Sequence, residues 1–349
     1  SSDLTKENKG KQMKITKILV ALSFLFAVAA QAGEMTVTGN MQATYQSERE
    51  GANSTTGNPL GMDKELKFSG STELDNGMTV SVMQDTSDAL AFGNSQISFG
   101  NVMGLATVYI GSDHDPLDAV DDITPSAFEE ANGAGSGTYG TDLGASTASN
   151  MGIGFKFDLP VLGAVNFKHY PKVDGVKNAD KSASGAPTTA SNSAGSASVV
   201  TITTDLGALP FIGDAMSGAS LTTGYGDREN TTLANTDDAV EATAALKYAF
   251  GPVSLGYQKK YVNLGDTALA VEAVFYKDDA YGIVYAVNDA LSISYNRYES
   301  YRHNHDLGAT KNEQSTTAFN IGYVVGGMTI GLQDAQTDDA GYIKDAKDD

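Results

Sequence analysis

The stretch KELKFSGSTELDNGMTVSVMQ, residues 64–84, contains two runs of alternating apolar and polar residues separated by the tripeptide DNG at 75–77. In the first run Leu66 and Phe68 alternate with charged residues, and the same period of two resumes after the tripeptide. A period of two is typical of a strand with one apolar and one polar face. Asn-Gly between two such runs favours a tight turn. The stretch therefore predicts an antiparallel β-hairpin.

The same alternation recurs along the chain, whereas helical periodicity is nowhere convincing. It predicts an all-β protein without a second domain and with strands of about ten residues. The fifteen predicted strands cover residues 35–46, 64–74, 78–86, 95–101, 104–110, 151–158, 164–170, 198–205, 218–226, 239–250, 253–261, 280–287, 291–300, 316–325 and 328–336.

The connections between these strands fall into two kinds. The short turns cover 75–77, 101–104, 160–163, 251–252, 288–290 and 326–327. The long polar loops cover 47–62, 111–150, 171–197, 227–238, 262–279 and 302–315. Short turns at one end and long loops at the other are typical of an outer-membrane β-barrel, whereas a soluble sandwich has no reason to sort its loops by length.

The two faces of the strands support the barrel. The polar faces carry Thr, Ser, Gly, Gln and several lysines, which is too polar for a buried core and suits a water-filled lumen. Aromatic residues near strand ends, among them Tyr45, Tyr109, Tyr257 and Tyr323, are expected at the membrane interfaces.

The N-terminal segment has the features of a secretory signal peptide. Residues 13–17 are basic, 18–30 are apolar, and 30–32 form an A-x-A cleavage site. We therefore predict that residues 1–12 are upstream and non-native, that 13–32 is the signal peptide, cleaved after Ala32, and that 33–349 is the barrel. No later run of 18 apolar residues could span a bilayer as a helix.

The composition excludes several classes of protein and site. The chain has no cysteine, so disulfides and thiolate metal sites are excluded. The net charge is −20, and about −23 for residues 33–349, the predicted mature chain. Such a charge disfavours nucleic acid and anionic membrane surfaces as partners.

Three stretches carry a family resemblance: the hairpin 64–84, the opening GEMTVTGNMQATYQ at 33–46, and YGIVYAVNDALSISYNRYES at 281–300. With them the chain resembles the general porins of Gram-negative outer membranes. The resemblance implies a transmembrane antiparallel up-and-down β-barrel of about sixteen strands, usually a homotrimer in outer-membrane lipid. It further implies passive diffusion of ions and small hydrophilic solutes, without catalysis, cofactor or metal.

Fifteen strands are one fewer than this resemblance implies, and the chain ends in the polar stretch DDAGYIKDAKDD at 338–349. We therefore expect the closing C-terminal strand to be missing. An unclosed barrel leaves backbone groups facing lipid at several kcal/mol each, so poor assembly is expected. The apolar segment 267–276 would add a strand but break the up-and-down order, and it is interpreted as part of a long loop.

An acidic cluster, GSDHDPLDAVDD at 111–122, opens the longest loop. The resemblance implies that the loop after the fifth strand folds into the barrel and narrows the pore. The candidate constriction residues are Asp113, Asp115, Asp118, Asp121, Asp122, Glu129 and Glu130. The candidate basic residues of the opposite lumen wall, chosen by alternation, are Lys67, Lys156, Lys168, Lys247 and Lys260.

Opposed acidic and basic groups would create a transverse field that orients solutes and sets ion preference. One carboxylate 5 Å from a passing ion contributes about 0.8 kcal/mol in water, and salt roughly halves this. Seven acids against few bases therefore predict weak cation selectivity. The alternative is that these acids only coat a solvated extracellular loop.

Other functions receive less support from the residues. Asp113-x-Asp115 lacks the glycine and spacing of an EF-hand, and His303-x-His305 has no evident third ligand, so no metal site is expected. A barrel enzyme would need a Ser/His/Asp set at its rim, which we do not find. A substrate-specific or plugged barrel used for binding or adhesion remains the main alternative to an open channel.

Overall fold

The computed structural model describes most of the predicted barrel. The described residues are 19–24, 26–30, 35–47, 58–86, 91–131, 142–144, 147, 150–173, 194–230, 238–263, 265, 274–304 and 312–348. Among them no helix is both long and apolar enough to cross a membrane.

The described residues form one antiparallel sheet with a few single turns of 3₁₀ helix. The first nine strands are β1 Leu19–Phe24, β2 Phe26–Ala30, β3 Met35–Tyr45, β4 Leu60–Glu73, β5 Thr79–Thr86, β6 Phe92–Val102, β7 Ala106–Gly111, β8 Gly152–Leu159 and β9 Gly163–Tyr170. The others are β10 Ala194–Asp205, β11 Ala219–Asn230, β12 Ala239–Phe250, β13 Val253–Asn263, β14 Val274–Ala286, β15 Leu291–Asn304, β16 Asn312–Val325, β17 Met328–Asp338 and β18 Lys347–Asp348.

Each of the fifteen predicted strands is present, as β3 to β17, and each pairs with the next along the chain. The prediction of an all-β, up-and-down antiparallel sheet is confirmed. Several strands are longer than predicted at their long-loop ends. The loop predicted for 262–279 is wrong at 274–279, where β14 has already begun, because backbone pairing with β13 and β15 outlasts the apolar alternation. Of the apolar segment 267–276, residues 274–276 belong to β14, and 267–273 lie outside the described residues.

The first and last of these fifteen strands flank β1. Leu19–Phe24 pairs antiparallel with residues 328–333 of β17, and its residues 20–23 pair with residues 42–45 of β3. β2 pairs with the other half of β3, at residues 35–39. Since β9 also pairs with β10, the backbone ladder around β3 to β17 is completed through β1.

The position of β1 is where we expected an unpaired gap. β1 and β2 lie within the apolar run predicted as a signal peptide, and that assignment stays a prediction. The physical reason for the pairing is that the edges of β3 and β17 carry unpaired backbone groups, which an apolar strand satisfies.

Side chains alternate between two faces of the sheet. One face exposes large apolar groups on every side of the ring, for example Leu66, Leu246, Tyr281 and Phe319, each more than a third exposed. The other face carries hydroxyl, amide, lysine and glycine residues and meets the loop that follows β7. We call this second face the lumen face.

One expected interface residue lies on the lumen face. Tyr109, predicted at the membrane interface, is fully buried there, and its hydroxyl donates to Asn166 Oδ1 at 2.9 Å. The reason is register: Tyr109 pairs with Ser98 and Gly154, whose faces point inward. Tyr45, Tyr257 and Tyr323 are exposed on the outer face.

Candidate functional site

The loop after β7, called here the inner loop, crosses the lumen. Its described residues are 112–131, 142–144, 147 and 150. It leaves the wall at Ser112, whose N–H donates to Ser95 O at 2.9 Å. From there it contacts lumen-face residues of strands that lie far away in sequence.

Side-chain amides and hydroxyls of the wall bind the backbone of the inner loop. Gln258 donates to Val120 O at 2.8 Å and accepts from Ile123 N at 3.2 Å. Two strands further, Asn296 donates to Pro125 O at 2.8 Å. The loop therefore lies along the wall from β13 toward β17.

The wall contacts continue to the last long strand of the sheet. Ser294 Oγ accepts from Ala127 N at 2.9 Å. Gln333 donates to Glu129 O at 3.2 Å. These bonds are spread over β15 and β17, so the loop segment 120–130 is anchored along its length.

Glycines on the lumen face make room for this segment. A Cβ atom at Gly282 would lie 2.3 Å from Pro125 O, and one at Gly322 would lie 2.0 Å from Ala127 O. Such contacts with backbone atoms are far inside van der Waals distance, so only glycine permits this close approach.

Asp115 holds the first turn of the inner loop. It is 4% exposed, and its carboxylate accepts from Leu117 N at 2.8 Å, Thr147 Oγ1 at 2.5 Å and Tyr170 OH at 2.5 Å. Leu117 itself is buried against Leu143 and neighbouring wall residues. Asp115 therefore serves the structure of the loop and is not open to passing ions.

Asp121 joins the loop to the wall through a buried ion pair. Lys260 Nζ lies 2.9 Å from Asp121 Oδ1, and the two residues are 2% and 6% exposed. The Asp121 carboxylate also accepts from Leu143 N at 2.8 Å. Asp122 lies 3.4 Å from the same ammonium, but its side chain is 37% exposed.

The remaining candidate acids are more accessible. Asp113 lies 3.7 Å from Lys67 Nζ with both side chains partly exposed. Asp118 is exposed, and Glu129 and Glu130 are half-buried. Burial, together with the nearby carboxylates of Asp122 and Glu129, raises the pKa of Glu130 to about 7. Burial likewise raises the pKa of Glu129, and partial burial of the carboxyl group, with the carboxylates of Asp115 and Asp142 nearby, raises the pKa of Asp118.

All five candidate lysines lie on the lumen face. Lys168 donates to His114 O at 2.6 Å, and Lys156 Nζ lies 5.3 Å from the ring centre of Tyr109. Lys247 lines a cavity with Pro125 and Glu130. Lys67 and Lys260 contact acids of the loop directly instead of facing them across an opening. The expected transverse separation of charge is therefore not found at these two lysines.

Sequence reasoning missed further residues that fix the inner loop to the wall. His114 is one: burial, with Lys156 and Lys168 nearby, lowers its pKa to about 4, so it is uncharged at neutral pH. Glu241, whose carboxylate accepts from Gly144 N at 2.5 Å, and Gln258 are others. The positions of Glu241 and Gln258 on the lumen face follow from alternation, but their partners in the loop do not.

Where the structure describes them, the side chains of the two metal motifs considered above contact other residues. The carboxylates of Asp113 and Asp115 have different partners, Lys67 for the first and Tyr170 for the second. The His303 ring stacks on Phe275 with ring centres 4.7 Å apart. His305 lies outside the described residues.

Comparison with known proteins identifies a family that covers most of the chain. The sequence model of the Gram-negative porin family matches residues 19–339. Comparison with curated protein sequences gives no significant match.

Three solved structures share the fold at low identity. A porin structure refined at 1.8 Å resolution is 13% identical, with a TM-score of 0.53 over 91% of this chain and 98% of that one. OmpT, an outer-membrane protein of Vibrio cholerae, is 10% identical, with a TM-score of 0.50 over 95% and 89%. The outer-membrane channel DcaP of Acinetobacter baumannii is 11% identical, with a TM-score of 0.50 over 95% and 93%.

Proposed function

Because the chain belongs to the Gram-negative porin family, we propose that its channel is narrowed by the inner loop and is weakly cation-selective. Membership of the family gives the coarser function: a non-enzymatic, water-filled channel of the outer membrane, through which ions and small hydrophilic solutes diffuse passively.

The unequal pairing of acids and lysines supports the proposal. Lys260 is buried against Asp121, and Lys168 is buried against a loop carbonyl. These two cations are therefore withdrawn from the solution in the lumen. Asp118 and Asp122 remain exposed, so the accessible surface of the loop is acidic.

The magnitude of the effect is small for each group. A carboxylate 5 Å from an ion contributes about 0.8 kcal/mol in water, and screening by salt reduces this to about 0.4 kcal/mol. That free energy corresponds to roughly a two-fold preference for cations per accessible carboxylate. A modest cation preference is the expected sum.

Replacing the two exposed aspartates tests this origin of selectivity. In the double variant Asp118→Asn and Asp122→Asn, we expect the ratio of K⁺ to Cl⁻ permeability to fall roughly four-fold, because two carboxylates are lost. The measurement is the zero-current potential in a planar bilayer under a KCl gradient. Asp289→Asn, in an exposed short turn, is the matched control. An unchanged ratio in the double variant would indicate that these acids only coat a solvated loop.

We also propose that the protein is a homotrimer, and the outer face of the sheet supports it. On β3 to β5 this face exposes aliphatic and thioether side chains, including Met35 at 53%, Met62 at 61% and Val82 at 50%. On β13 to β16 it exposes Tyr257, Tyr281 and other tyrosines, which suit a lipid–water interface, among aliphatic residues such as Ile283. Contact between copies requires an exposed apolar face that a second copy can cover, and β3 to β5 offer one. Chemical cross-linking in outer-membrane fractions should give three chains, and a single chain throughout would contradict this.

A further inference from the structure

The segment after β17 folds back over the long-loop end of the barrel. Its residues 339–346 form a tight turn in which Ala340 N donates to Ala346 O at 3.1 Å and Asp345 N donates to Asp339 Oδ1 at 2.7 Å. β18 then pairs with residues 337–338 of β17 and closes the turn. We call residues 339–346 the fold-back segment.

Tyr342 of this segment contacts the lumen face. Its hydroxyl lies 2.8 Å from Ser300 Oγ, and its ring centre lies 5.9 Å from that of Tyr276. The Arg302 guanidinium lies 5.9 Å from the same ring centre. Next to it, Gly341 N donates to Gln314 Oε1 at 3.0 Å. These partners belong to β14, β15 and β16.

A series of contacts connects Tyr342 with the inner loop. Ser300 donates to Asp278, which also accepts from Tyr298 OH at 2.6 Å. Lys260 Nζ lies 5.2 Å from the centre of the Tyr298 ring and 2.9 Å from Asp121. One chain of polar contacts therefore connects the fold-back segment with the inner loop along the same wall.

The backbone of the fold-back segment indicates that these contacts hold it in place. Asp339, Tyr342 and Asp345 have φ values of 54°, 63° and 62°, in the left-handed region. For a residue with a side chain this conformation costs on the order of 1–2 kcal/mol. A short segment with three such residues needs compensating contacts, and Tyr342 supplies those made with the wall.

We propose that Tyr342 forms a second narrowing of the channel, at its long-loop mouth and above the inner loop, and that it helps to set the size limit for hydrophilic solutes. The inference rests on the proposed function, since it requires a conducting channel. The ring covers part of the lumen beside β14 to β16. There the phenol ring of Tyr342 occupies space that water would otherwise fill.

Conductance of single channels tests the proposal. Tyr342→Ala is expected to raise the conductance by a factor of roughly 1.5 and to admit larger sugars in liposome-swelling assays, because the ring leaves the lumen. Tyr342→Phe keeps the ring and should conduct like the native protein. Ile343→Ala, at the next residue, whose side chain is 64% exposed, is the matched control. Equal conductance of Tyr342→Ala and Ile343→Ala would overturn the proposal.

A second measurement does not depend on removing the ring. Because the chain contains no cysteine, a single Tyr342→Cys variant can be modified by a bulky thiol reagent added on the long-loop side. We expect modification to lower the current through Tyr342→Cys but not through Ile343→Cys. Equal effects on both variants would overturn the proposal. A native protein that does not conduct would instead contradict the proposed function.

Discussion

Replacing Lys260 by methionine is expected to destabilise the seating of the inner loop by roughly 3 kcal/mol, because removal of one partner leaves the buried Asp121 carboxylate without its cation. The measurement is the rate at which proteinase K cuts within residues 112–131 of the protein in detergent at pH 8. The rate should rise by about two orders of magnitude, as local opening becomes easier by that free energy. At pH 5 the effect should be smaller, since an unpaired, buried Asp121 takes up a proton.

Two further variants separate the buried pair from a general effect of lysine loss. Lys259→Met removes the neighbouring lysine, whose ion pair with Asp279 at 2.8 Å lies on the outer face with the ammonium side chain 54% exposed. Exposed pairs contribute about 0–1 kcal/mol, so this variant should resist the protease like the native protein. Adding Asp121→Asn to Lys260→Met removes the unpaired charge and keeps an acceptor for Leu143 N–H, so it should restore resistance. Equal cutting of Lys259→Met and Lys260→Met would contradict the account.

Adding methyl groups beneath the inner loop is expected to have the second large effect. In the double variant Gly282→Ala and Gly322→Ala, each Cβ meets a backbone oxygen of the loop, of Pro125 and of Ala127 respectively. Overpacking of this kind typically costs 1–3 kcal/mol, so roughly that range is expected at each position. The loop can move only toward the pore axis, and single-channel conductance should therefore fall.

The chain offers a matched glycine elsewhere on the lumen face. A Cβ at Gly100 would have its nearest neighbour at 3.6 Å, which is ordinary van der Waals contact. Gly100→Ala should therefore leave the conductance unchanged. If Gly100→Ala lowers the conductance as much as the double variant, the effect arises from replacing any strand glycine and not from the contact between the inner loop and the wall.

Local patterns in the sequence were sufficient to predict where the strands lie. The hairpin at 64–84 shows why: Leu66 and Phe68 lie outward and Lys67 inward, as alternation requires, and β4 pairs with β5 across the predicted turn. The strand ends were less predictable. For example, β14 includes residues 274–279, which lack apolar alternation and are held in the strand by backbone pairing with β13 and β15.

The candidate site was only partly predictable, for a physical reason. The loop acids and the lumen lysines can be chosen from composition and alternation, but their pairing is tertiary. Lys260 and Asp121 are separated by 139 positions in sequence, and nothing local links them. Their contact turns two charges expected to act on solutes into a structural anchor, and leaves Asp118 and Asp122 as the most exposed of the candidate acids.

The most direct test of the account is the zero-current potential of the native protein in a planar bilayer under a tenfold KCl gradient, measured at pH 8 and at pH 5. We predict a steady conductance with a potential of the sign that favours K⁺ at pH 8. The preference should weaken at pH 5, because the pKa of Glu130 is about 7 and that carboxylate is neutral below it. A potential of zero, or one that favours Cl⁻ at pH 8, would contradict the claim that the inner-loop acids set the ion preference of this channel.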